Sequence, residues 1–155
     1  YTIYHNQVEA RRSSPAHFGE FNTPVLLDIK LDEVTCGDIS ITDDTDVEEA
    51  KRIMDENSIS AVPVVVYKRL IGAVYLFDIA EITSGTVKDY IRRGITYLRS
   101  SNNAEEAWEV MMRNKTTWCP IVDNGEFKGI VTLKSILDAY QKKVMAAKDT
   151  SVSFE

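Results

Sequence analysis

Few side chains in this chain are spaced for chemistry, and the gaps narrow the function. His5 and His17 stand far apart in a polar stretch, without metal-ligand spacing. The doublets Glu48-Glu49 and Glu105-Glu106 fall in the first turns of helices, where they favour the dipole rather than forming an acid–base dyad. No hydroxyl or thiol has a base at a spacing that suggests nucleophilic catalysis. What remains is one carboxylate, Asp78, where a strand runs into a helix. Ser135 stands at the matching junction of a second copy further on. The sequence offers no catalytic constellation, so the reading is not an enzyme.

The elements that must position these groups occur twice. Gly37 to Ile79 aligns with Gly94 to Ile136 at a constant offset of 57, without a gap. Glu48/Glu105, Ala50/Ala107, Met54/Met111, Asn57/Asn114, Pro63/Pro120, Gly72/Gly129 and Ile79/Ile136 are among the identical pairs. Thr45 with Glu48, and Asn102 with Glu105, predict capping boxes. Val47, Ala50, Ile53 and Met54, and then Ala104, Ala107, Val110 and Met111, show helical spacing with one buried face. Asn57 and Asn114 suit the left-handed residue that ends a helix. Two strands follow in "VPVVVYKRLIGAVYLFDIAEI" and in "CPIVDNGEFKGIVTLKSILDA". Asn124-Gly125 suits a two-residue hairpin turn. With short strands at Ile39-Ser40-Ile41 and Ile95 to Leu98, each copy reads β-α-β-β-α. The fold class is α/β (α+β), with two such units packed as a pseudo-two-fold pair around a shared core.

The expected divisions are a polar linker over 1–28 from another domain, a first repeat over 29–85, a second over 86–147 and a tail over 148–155. Cys36 and Cys119 sit beside apolar residues and read as free thiols in a reducing compartment. The formal net charge of -6 argues against nucleic acid as a partner. No apolar stretch reaches transmembrane length.

The tandem units, with "VPVVV…IGAVYLFDI" and "CPIVD…KGIVTLKSI", resemble a pair of CBS (cystathionine β-synthase) domains, a Bateman module. The leading segment "TIYHNQVEARRSSPAHFGEF" resembles the connector between the last membrane helix of prokaryotic CLC chloride channels or antiporters and their cytosolic CBS pair. The resemblance implies a regulatory domain at the cytoplasmic face of a membrane. It would sense an adenine nucleotide (ATP, ADP or AMP) or act as a structural module. Its partners would be the transport domain of the same polypeptide and a second copy. The apolar stripe Ile136, Leu137, Tyr140 and Val144 is the expected dimer surface. The alternative is a CBS pair serving another transporter or an enzyme.

The family motif Gly-x-x-Thr-x-x-Asp is incomplete in both copies. Gly72 and Asp78 match in the first, where Tyr75 replaces Thr; Gly129 and Thr132 match in the second, where Ser135 replaces Asp. The resemblance implies one cleft with Asp78, Thr96, Thr116 and Thr117, and a degenerate one with Ile39, Ile59, Ser60, Thr132, Lys134 and Ser135, next to Asp38. A carboxylate at such a junction can accept hydrogen bonds from both ribose hydroxyls. Losing charge-assisted bonds of this kind costs roughly 1.5–3 kcal/mol, or about 10- to 150-fold in affinity. Asp38 at about 6 Å from a phosphate adds repulsion on the order of 3 kcal/mol at an effective dielectric near 20. The Asp78 cleft is therefore the expected nucleotide site. The plainer readings are that Asp78 caps a helix, Lys134 is solvated, Thr116 and Thr117 are strand-edge hydroxyls, and Tyr75, Phe77 and Trp118 belong to core or interface.

Overall fold

The computed structural model describes residues 23–37 and 39–153. Each half is built on one hairpin. In the first, β2 (Ala61–Val66) pairs antiparallel with β3 (Arg69–Tyr75); in the second, β4 (Trp118–Asp123) pairs with β5 (Glu126–Thr132). Asn124 and Gly125 take φ of 53° and 79°, the turn their types predicted. Tyr67 and Lys68 adopt the same turn at φ of 51° and 66°, without a glycine or asparagine to favour it. The pairing register shifts between Val64 and Val65, and again between Ile121 and Val122, so one bulge recurs in each hairpin. A parallel bridge adds Ile41 to Val64 and Leu98 to Ile121.

The helices before the hairpins start and stop one residue later than predicted. In α4 (Ala104–Asn114) the capping box is Asn103 with Glu106, each side chain bonding the other's backbone N–H. In α2 (Val47–Glu56) Asp46 stands at the cap without a side-chain bond, and the expected box at Thr45 and Glu48 does not form. The backbone carbonyl of Gly85 accepts from Val47 N–H instead. The left-handed residues are Ser58 and Lys115, while Asn57 and Asn114 bond backbone with their amides.

The last helices differ most. The first half has α3 (Leu76–Ile79), a single turn; the second has α5 (Leu133–Ser153), 21 residues. After Ile79 the chain passes through Thr83-Ser84-Gly85 and is drawn into capping α2, which ends α3 early.

The residues 23–36 cross over. α1 (Thr23–Asp28), within the span expected to be linker, buries Leu26 with Ile29 and Leu31 in the second core, against Ala104, Ala107 and Val131. β1 (Thr35–Cys36) then pairs with β5, placing Cys36 opposite Ile130. The first half receives its matching strand from the inter-repeat segment, where Arg92 pairs with Ala73. Each half's sheet is thus completed from outside its own repeat. A side chain at Gly72 would lie 2.3 Å from the carbonyl oxygen of Arg92, and one at Gly129 the same distance from that of Cys36. Those contacts equate Cys36 with Arg92, an offset of 56 (92 minus 36), one less than in the repeats.

The two cores meet at Trp118. It is fully buried in the first cluster, and its indole N–H donates to the Ala61 carbonyl at 2.8 Å. Ala61 and Trp118 are equivalent at the 57-residue offset, so the pseudo-two-fold axis runs between them. Both cysteines are free; burial pushes the Cys119 thiol up to about 12. Among the described residues no helix is long and apolar enough to cross a membrane.

Candidate functional site

Asp78 lies in α3, immediately after β3, and does not cap it. Its carboxylate accepts two hydrogen bonds from Arg92, Nε to Oδ2 at 2.7 Å and Nη2 to Oδ1 at 3.0 Å. This fork-on-fork geometry uses both oxygens. Arg92 is brought there by the crossing strand, where its own backbone exchanges two bonds with Ala73. The guanidinium also covers the Phe77 ring, 5.0 Å from the centroid, and lies 5.5 Å from the centroid of Tyr75. The two rings meet edge to face at 5.4 Å. The hydrogen bonds from Arg92 hold the Asp78 carboxyl below the usual carboxylate range. Asp78 is therefore ionised at neutral pH, with about a quarter of its side chain exposed.

Tyr75, which replaces the motif threonine, reaches across the pair. Its hydroxyl donates to the Asn114 carbonyl at 2.7 Å, and burial pushes its pKa up. The buried Asn114 amide then clasps Thr96, accepting from its N–H at 3.0 Å and donating to its carbonyl at 2.8 Å. Thr96 is thus tied to the Asp78 side through Asn114 and Tyr75. Thr116 donates its hydroxyl to the Trp118 carbonyl. Phe77, read as core or interface, is 68% exposed beside Asp78, with the Arg92 guanidinium over its ring.

Thr117 and Ser60 are each tied by backbone to the helix start of their own half. The Ser60 carbonyl accepts from Leu76 N–H, and the Thr117 carbonyl from Leu133 N–H. Hairpin register requires this: Ala61 opposes Tyr75 and Trp118 opposes Thr132, so the residue before each strand meets the helix start of its own half. These bonds hold the Ser60 backbone to the start of α3 and the Thr117 backbone to the start of α5.

At that second junction the polar groups satisfy one another. Ser135 Oγ accepts from Thr132 N–H and donates to the Thr132 carbonyl, while Ser135 N–H donates to Thr132 Oγ1. Thr132 stands at the cap of α5, and Ser135, its third residue, returns the bond to the cap's N–H. Lys134 is exposed and pairs with Asp138 one turn on. Ile59 is buried in the first core, and Ile39 packs against it. Tyr67, at 94% exposure, does not fill this region, whereas Phe127 packs against the first core. Asp38, His5, His17 and the leading segment lie outside the described residues. An open groove of about 370 Å3 borders Ser135, lined by Ile29, Val34, Thr35, Asp138 and Ala139. All of these pack on the second half, so the groove is not a cleft between repeats.

Comparison with known proteins gives this arrangement its family. The CBS domain family matches at residues 31–85 and again at 87–142. The chain belongs to the CBS domain family. It carries the family's domain twice, as a tandem pair. Inosine-5'-monophosphate dehydrogenase of Methanocaldococcus jannaschii is 36% identical over 125 residues, 77% of this chain. The chain spans 25% of that relative's length. Among solved structures, CBSX2 in complex with AMP superposes with a TM-score of 0.62 at 21% identity, covering 74% of this CBS pair and 97% of CBSX2. A CBS domain pair solved with 5'-methylthioadenosine and S-adenosyl-L-methionine gives a TM-score of 0.62 at 20% identity, with the same two coverages of 74% and 97%.

Arg92 escaped the sequence reading because the repeat alignment began at Gly37, after the crossing strand that supplies its counterpart, Cys36. Carrying the alignment back with one residue removed would have set Arg92 opposite Cys36, and Asp78 opposite Ser135, as two charges lost together.

Proposed function

We propose that this CBS pair is a regulatory module that binds an adenine nucleotide at Asp78 without transforming it. One observation carries the reading: Asp78 is ionised and partly exposed beside the exposed Phe77, whereas its counterpart Ser135 is bonded to Thr132 at the start of α5. The AMP of one structural relative, and the methylthioadenosine and adenosylmethionine of another, support the ligand class. Asp78→Ala is expected to weaken AMP binding at least about tenfold, the loss of charge-assisted bonds to ribose. Ser135→Ala removes the return bond of the cap at Thr132, at a cost of about 1 kcal/mol in stability, and leaves AMP affinity within about twofold. Titration calorimetry decides between them. Equal losses in the two variants, or no AMP binding by the parent chain, overturn the assignment; in the latter case a ligand-free structural module becomes the reading.

Two settings for the module follow from different observations. The leading segment supports the cytosolic region of a CLC-type chloride channel or antiporter, at the inner face of a membrane. Reading the coding sequence upstream of Tyr1 for membrane-spanning segments tests that setting. The dehydrogenase relatives, of which the chain spans about a quarter, support a regulatory insert in a larger enzyme. In both settings self-association would use the outer face of α5, where Leu137 and Met145 are exposed at 38% and 58%. Light scattering is expected to give twice the chain mass; a monomer at high concentration removes the dimer.

A further inference from the structure

We propose that Arg92 is the selectivity residue of the Asp78 cleft: it occupies the carboxylate in the free protein and yields it to a ligand that brings its own anion, a phosphorylated adenine nucleotide rather than an uncharged or cationic adenosine derivative. The inference rests on the nucleotide reading of Asp78 and deepens it. Ribose hydroxyls need the same two carboxylate oxygens that Arg92 now holds at 2.7 and 3.0 Å. Binding therefore begins by displacing the guanidinium. Its backbone is fixed to Ala73 by two hydrogen bonds, so the displaced group stays within one side-chain length of the cleft. Its side chain is 54% exposed and lies over the Phe77 ring. A ligand phosphate re-pairs it in fork geometry. A neutral nucleoside leaves a cation without a partner, and a sulfonium sets a second cation beside it. The other half supports treating the two charges as a unit, because there the carboxylate is Ser135 and the arginine is Cys36, so both are lost at once.

Titration calorimetry with AMP, adenosine and S-adenosylmethionine, on the full chain and on Arg92→Gln and Arg92→Lys, tests the proposal. An exposed ion pair is a weak competitor, so Arg92→Gln is expected to bind adenosine about three- to fivefold more tightly. The same variant should bind AMP about tenfold more weakly, for loss of a charge-assisted contact. Adenosylmethionine should follow adenosine, and Arg92→Lys should keep part of the preference for AMP. Changes of one sign for AMP and adenosine, or an unchanged ratio, overturn the proposal while AMP binding by the parent upholds the nucleotide reading. If the parent binds neither ligand and Arg92→Gln binds adenosine, Arg92 blocks the carboxylate without yielding it to a phosphate, and the selectivity proposal falls. If neither protein binds either ligand, both readings fall together.

Discussion

Trp118→Ala is expected to cost about 3–5 kcal/mol, the range for truncating a fully buried large aromatic. A domain of this size has roughly 5–15 kcal/mol in total, so the variant should unfold at a much lower urea concentration. The site is unusual in what it joins. Trp118 belongs by sequence to the second repeat yet is buried in the first core, and its N–H satisfies the carbonyl of its symmetry mate, Ala61. Trp118→Phe keeps most of the apolar volume but leaves that carbonyl without its donor, for a loss of about 1–3 kcal/mol. Urea denaturation followed by circular dichroism separates the two variants. A loss below about 1 kcal/mol for Trp118→Ala would mean that the repeats are held together elsewhere.

The second large effect is at Gly129. Its φ of +136° is one that side chains rarely adopt, and a Cβ would stand 2.3 Å from the Cys36 carbonyl oxygen and 3.1 Å from Thr35. Backbone strain of about 1–3 kcal/mol adds to the clash, and relief requires β1 to lift from β5. Gly129→Ala should therefore lose about 3 kcal/mol or more. Gly72→Ala meets the Arg92 oxygen at the same 2.3 Å without a positive φ, so its loss should be smaller, about 2 kcal/mol. Gly37→Ala is the control: nothing lies within 4 Å of its Cβ position, and its stability should stay within about 0.5 kcal/mol of the parent. If all three variants melt together, close strand approach is not what these glycines serve.

The contrast between Gly129 and Arg92 shows what the sequence could convey. The hairpins and the helical faces rest on contacts between near neighbours, which periodicity records, whereas the matching bulges left no such signal. Cap positions came out one residue early because Asn102 and Asn103 are chemically alike, and only backbone geometry distinguishes them. In the first half the cap comes from the Gly85 backbone, which has no side-chain signature. The Asp78–Arg92 pair spans 14 residues and depends on which sheet the crossing strand joins. Nothing local specifies that choice. The exposure of Phe77 likewise follows from α3 stopping after one turn, which exempts its outer residues from packing.

The exchange of edge strands also determines where a tug on the chain is felt. Residues before Thr23 lead into α1 and β1, which grip the second repeat and not the one that follows them in sequence. Traction from that end would peel β1 from β5 at Cys36 and loosen the α5 side first. The Asp78 site is anchored by the inter-repeat segment, in the interior of the chain, and is shielded from the first displacement. The exchange thus ties the upstream end of the chain to the second repeat, and the Asp78 site to the inter-repeat segment.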